Sequence, residues 1–196
     1  MQPGGAELNV WLSGGRPDRV PAVPGARSAP GVTADQAAAA ERCEALLRDT
    51  LDGVRPEPAW RHGVARAGAR LPMPGAGPDD ADVHWYVTRS RDIVTIVSAA
   101  RRGALVGMVE RHWRRCGWTV TSVNVGRELP GVAAVTPDGY QLALVFGDLG
   151  QAGLTAGSPG VARSEWVPYP HGVPVAPGGA PLPDVCCPFW SAMGAG

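Results

Sequence analysis

The sequence predicts an α+β fold: an antiparallel sheet of four to five strands with one or two helices packed on one face. Three observations predict it. Glycine and proline concentrate at the chain ends, the apolar period changes from helical to alternating along the middle, and the last strands are joined by short turns that imply antiparallel neighbours. Residues 1–32 hold 6 glycines and 5 prolines and residues 159–196 hold 6 and 8, whereas residues 83–157 hold 10 glycines and only 2 prolines. Regular structure is therefore expected in the middle, between ends that bury too little apolar surface to offset chain entropy. The expected organisation is a disordered N-terminal arm (1–32), an α+β domain (33–160) and a disordered Pro/Gly-rich tail (161–196), with no internal repeat.

The first helix is expected from Thr33 to about Gly53. Thr33 stands three residues before Gln36, the spacing of a capping box. Ala40, Cys43, Leu47, Thr50, Leu51 and Val54 recur at helical spacing as one modest apolar stripe. A loose connector over 54–82, with five prolines, is expected to be irregular. "VHWYVTRSRDIVTIVS" is rich in the β-branched and aromatic residues that favour strands, with "RSRD" (89–92) either a turn between two strands or the kink of one long strand.

"RRGALVGMVERHWRRCGW" then reads as a helix starting near Ser98 or Ala99 and ended by Gly117. Arg114 and Arg115 occupy its last turn, where cations suit the helix dipole. Leu105, Met108, Val109, His112, Trp113 and Cys116 share one broad face, and Glu110, Arg111, Arg114 and Arg115 share the other. Three strands follow: "WTVTSVN" (118–124), "VAAVT" (132–136) and "YQLALVF" (140–146). The last two flank "PDG" (137–139), in which proline presets φ and glycine accepts a left-handed conformation. Tyr140, Leu142, Leu144 and Phe146 face one way, Gln141 and Ala143 the other. "GDLGQ" (147–151) turns the chain into "AGLTAG".

The formal net charge is zero, which argues against a global field steering the protein to nucleic acid or anionic membrane. All 18 basic residues are arginine, a pattern of GC-rich coding, so an arginine here is not by itself a sign of bidentate recognition. The four cysteines, Cys43, Cys116, Cys186 and Cys187, form no disulfide framework and no paired CxxC knuckles. Read from Met1, the chain shows no signal peptide and nothing near the ~18 apolar residues of a membrane span. The expected location is the cytoplasm, or an extracytoplasmic compartment if translation starts upstream.

"RRGALVGMVERHWRRCGWTVTSVN" and "TPDGYQLALVFGDLGQAGLTAGSPGV" resemble a group of small uncharacterised actinobacterial proteins, many of them predicted to be secreted or lipid-anchored. The resemblance covers about residues 40–161, on the motifs RGAL-x-x-x-VERHWRR-x-G-W and TPDGY. It implies these domain boundaries and no known chemistry. Such proteins often carry a signal or lipobox before the first helix, which this start lacks. They also carry a cysteine where Gly160 stands here, implying that a bridge to a residue like Cys43 is missing.

The chemical motifs are incomplete. "ERH" (110–112) resembles a zinc-protease helix but supplies one histidine rather than two. His112 and Cys116 are four residues apart on one face, a two-ligand clip, and two ligands do not make a site. His84 is the other core histidine with a chance of joining them. The same pair lacks a third orienting group for nucleophilic catalysis. Asp138 and Asp148 are a possible carboxylate pair, but each sits in a glycine-containing turn where its ordinary role is local. "GDLG" joins strands, unlike the nucleic-acid-clamping GxxG between helices.

No catalytic, cofactor-binding or metal-binding residue is therefore assigned. The expected function is a non-enzymatic interaction or ligand-binding module with no cofactor and an unidentified partner, another protein being the first candidate. Arg111, Trp113, Arg114 and Arg115 form the candidate interaction surface, with Trp113 as a partly exposed anchor. One alternative is a weak nucleic-acid or anionic-ligand binder using the same basic face; the other is an extracytoplasmic lipoprotein-like domain. The "CCPFW" cluster (186–190) is read as a loosely attached terminus or as a docking peptide.

Overall fold

A computed structural model describes residues 34–70, 84–165 and 181–192. The expected arm 1–32, part of the connector (71–83) and most of the tail (166–180 and 193–196) lie outside the described residues. The elements, in chain order, are helix α1 (Gln36–Asp52), strands β1 (Trp60–His62), β2 (Arg66–Arg70) and β3 (His84–Ile93), helix α2 (Ala99–Arg115), and strands β4 (Thr119–Val123), β5 (Gly131–Val135), β6 (Gln141–Phe146) and β7 (Ala152–Gly157). The class is α+β, as expected, with both helices on one face of an antiparallel sheet.

That sheet has seven strands rather than four to five, in the order β1-β3-β7-β6-β5-β4, with β2 beside β1 on the outer edge of β3. The two unexpected strands come from the connector. Their sequences, WRH and RAGAR, have little β-propensity. They are strands because β3 offers ten residues of backbone with a free edge, whose N–H and C=O groups need partners. "RSRD" belongs to this one continuous strand, and its pairing with β7 runs without a break from Thr88 to Ile93.

Helix α1 starts two residues later than the Thr33 capping box would place it. Asp35 is the N-cap, its carboxylate accepting the Ala38 N–H at 2.9 Å. Ala39, Ala40, Cys43, Leu46, Leu47, Thr50 and Leu51 are buried, an apolar stripe wider than the sequence suggested. Ser98 is the N-cap of α2, but its hydroxyl accepts no hydrogen bond from the helix's first turn and donates instead to the Ala192 carbonyl at 2.7 Å. Gly117, with φ of 76°, then lets the chain reverse into β4.

Alternation along the strands aims Ile93, Val132, Ala134, Leu142, Leu144, Phe146, Ala152, Leu154 and Ala156 at the helices, where they join Leu47, Leu51, Leu105, Val109 and Trp113 in one core. Helix α1 covers β3 and β7, and α2 covers β4, β5 and β6. Gly139 (φ 85°) completes the expected "PDG" turn, its N–H donating to the Thr136 carbonyl at 2.9 Å. The opposite sheet face carries Ala133, Ala143, Gly153 and Thr155, all half-exposed.

The fold extends past residue 160. Val161 bridges Trp85 and Ala162 bridges Asp35. Residues 181–192 also pack on the body, against the expectation of a disordered tail: Trp190 is fully buried, and its Nε1–H donates to the Pro56 carbonyl at 2.8 Å. An apolar side chain of that size finds a pocket wherever the fold leaves one, even in a proline-rich stretch.

Candidate functional site

The helices meet where α1 ends and α2 ends. Here the chain brings together Asp49, in the last turn of α1, and His112 and Cys116, at the end of α2. His112 Nε2 lies 3.1 Å from Asp49 Oδ2, and Cys116 Sγ lies 3.7 Å from that oxygen and 3.5 Å from Nε2. Among the described residues they form a group able to offer a metal three ligand atoms, all within 4.8 Å of one another. His112 and Cys116 share a helix face because four residues are just over one α-helical turn. Asp49 arrives because α1 and α2 pack side by side.

The histidine is held from behind. Its ring meets Trp118 edge to face at 6.3 Å. It also lies directly over Gly53, where a Cβ would collide with Nδ1 and Cγ. Only glycine at position 53 allows this approach. His112 is 13% exposed, whereas Asp49 and Cys116 are open to solvent, so the ring is positioned by packing and its donor atom remains reachable. Partial burial, then the neighbouring Asp49 carboxylate, raise the Cys116 thiol above its ordinary range, with Arg115 acting in the opposite sense.

His112 and Cys116 thus sit at the rim between the helices rather than against the sheet. His84 begins β3, on another part of the sheet from α2. The third group is Asp49, which sequence reading missed. Its only local context is the polar side of an amphipathic helix, 63 residues before His112, and nothing short of the helix pairing marks it.

The expected interaction surface is only partly on the surface. Trp113 is completely buried and donates from Nε1 to Thr50 Oγ1 at 2.9 Å, so it is a core residue and not an exposed anchor. It lies on the apolar face of α2, as the helical spacing expects, and α1 covers it there. Arg111, Arg114 and Arg115 are exposed as expected. Arg114 forks onto Glu110 one turn earlier, at 2.9 and 3.1 Å. Asp138 and Asp148 stand in the turns at opposite ends of β6, roughly 20 Å of strand apart at ~3.3 Å per residue, and cannot act as a pair. Asp138 instead binds Arg42 of α1 at 2.9 Å.

A second polar group was legible but overlooked. Arg89 and Arg91 alternate with Val87 and Ile93 along β3, which places them on the covered face, and each is 4% exposed. Glu44 of α1 pairs with both, at 3.3 Å to Arg89 Nε and in closer contact with Arg91 Nη2. The Trp60 ring lies 4.7 Å from the Arg91 guanidinium carbon. This cluster ties α1 to the sheet. All four cysteines are free, with Cys43 buried beside it.

No protein-family model matches the chain, and no curated protein matches it. Among solved structures the chain is similar to the crystal structure of a DUF4853 family protein from Actinomyces odontolyticus ATCC 17982, at 14% identity over 75% of this chain and 77% of that one, with a TM-score of 0.38. A likeness this distant carries no argument about the site. Among the described residues no helix is long and apolar enough to cross a membrane.

Proposed function

We propose that the protein is a non-enzymatic binding module whose binding centre is Asp49, His112 and Cys116 at the junction of the two helices. The observation that carries this reading is that thiol and carboxylate converge on the same ring nitrogen, Nε2. In a nucleophile–base–orienter set the third group holds the ring through the opposite nitrogen, leaving the first free to take the proton. Here Asp49 competes with Cys116 for one nitrogen. Three donors turned toward a common point suit the capture of a ligand better than the transfer of a proton. The alternative, an anionic ligand on Arg111, Arg114 and Arg115, is the weaker reading, because Glu110 already neutralises Arg114.

The test is the reactivity of Cys116 toward iodoacetamide at neutral pH, in the Cys186→Ser/Cys187→Ser background with a chelator present, followed by mass spectrometry. Alkylation no faster than that of a free cysteine is expected. A rate tenfold or more above it, or turnover of an ester or amide substrate that Cys116→Ser abolishes, overturns the module reading.

A further inference from the structure

We propose that Asp49, His112 and Cys116 bind a divalent transition-metal ion of the zinc class, through Oδ2, Nε2 and Sγ, with a fourth position on the solvent side. This inference deepens the binding-module reading and rests on it.

The geometry carries the argument. A tetrahedral ion with bonds of about 2.0 Å to nitrogen and oxygen and about 2.3 Å to sulfur requires ligand atoms about 3.3–3.6 Å apart. The three separations are 3.1 Å (N to O), 3.5 Å (S to N) and 3.7 Å (S to O), each within about 0.2 Å of its requirement. Two ligands four residues apart on one helix, with the third from a neighbouring element, is also the arrangement helical zinc sites use. Sequence reading set a metal aside because it could count only two ligands; the packing of α1 supplies another.

The donor set selects the ion. A thiolate, an imidazole and one carboxylate favour zinc and its transition-metal neighbours over magnesium or calcium, which prefer all-oxygen shells. Thiolate and carboxylate together balance a charge of 2+. The thiol proton leaves to solvent as sulfur binds, and no other bond is broken. The ring is already aimed, because Trp118 and Gly53 fix it from the far side and leave Nε2 pointing between the other two donors. Exposure of Asp49 and Cys116 gives the ion a path in. Once bound, it would clip the end of α1 to the end of α2.

The experiment uses the full chain, stripped with a chelator and titrated with Co²⁺ and then Zn²⁺. A thiolate-to-cobalt charge-transfer band with tetrahedral ligand-field bands is expected, at one ion per chain and displaced by zinc. Asp49 and Cys116 are exposed, so Asp49→Asn and Cys116→Ser leave the core intact. Cys116→Ser should abolish the charge-transfer band, and Asp49→Asn should weaken cobalt binding tenfold or more. The Cys186→Ser/Cys187→Ser chain should bind as the parent does. Zinc should raise the Tm of the parent, and at the same zinc concentration raise that of Asp49→Asn less. The proposal is overturned if the parent gives no such band, if the band survives Cys116→Ser, or if Asp49→Asn binds cobalt with undiminished affinity. Absence of metal binding together with a slow Cys116 would sink this proposal alone; a hyper-reactive Cys116 would sink the module reading as well.

Discussion

Glu44 holds two guanidinium groups under the first helix, and a single carboxylate facing two buried cations is a costly arrangement to disturb. Removing one member of a buried ion pair leaves the remaining charge without compensation, at a typical cost of about 3–5 kcal/mol. Glu44 keeps 28% of its side-chain surface in water, which puts the effect at the lower end. Glu44→Ala should therefore destabilise the protein by about 3 kcal/mol, read as a lower urea midpoint at unchanged slope. An effect under about 1 kcal/mol would mean that solvent already screens the cluster. The arginines were readable in advance: a period of two from Val87 to Ile93 puts them on the core side. Asp49 was not, because the identity of a ligand on a polar helix face is settled by whichever helix packs beside it.

Elements divide according to how local their causes are. Both helices and β4 to β7 follow from apolar period and turn residues within a few positions, and these were legible. Strands β1 and β2 were not. Their residues are indifferent to strand formation, and a distant strand edge recruits them. The C-terminal segment is the same case. Val185 and Trp190 supply carbonyl acceptors to the N–H groups of Ile96 (2.8 Å) and Ser98 (3.0 Å), closing the entry to α2. Trp190→Ala should cost about 3–5 kcal/mol, the usual range for a buried tryptophan. In hydrogen exchange, the amides of Ile96 and Ser98 should lose protection before those of β6. Equal loss in both places would show that the segment is part of one cooperative unit with the sheet.

At the scale of the whole molecule the core is continuous from α1 to Trp190, and its integrity can be followed through one thiol. Cys43 is fully buried, and burial pushes its pKa up to about 12, with Glu44 acting in the same sense and Arg89 and Arg42 against it. At pH 8 on the order of one Cys43 in 10⁴ would be ionised, and reaction needs the thiolate and access to it. An aromatic disulfide reagent should modify the exposed thiols of the native protein quickly and Cys43 only at the rate of global opening. Labelling of Cys43 as fast as Cys186, which is exposed, would show that α1 leaves the sheet independently.

The sequence by itself determined the α+β class, the helix stripes, the turn at Pro137–Gly139 and the shared face of His112 and Cys116, because each depends on spacing within one element. Only the tertiary structure decided the sheet's outer edge, the docking of Trp190, the burial of Trp113 and the approach of Asp49. Each of those depends on which surfaces meet, and contacts between separate segments leave no period in the sequence between them, whether the partners are strands of one sheet edge, side chains 63 residues apart, as Asp49 is from His112 and Thr50 from Trp113, or groups 134 apart, as Trp190 is from Pro56.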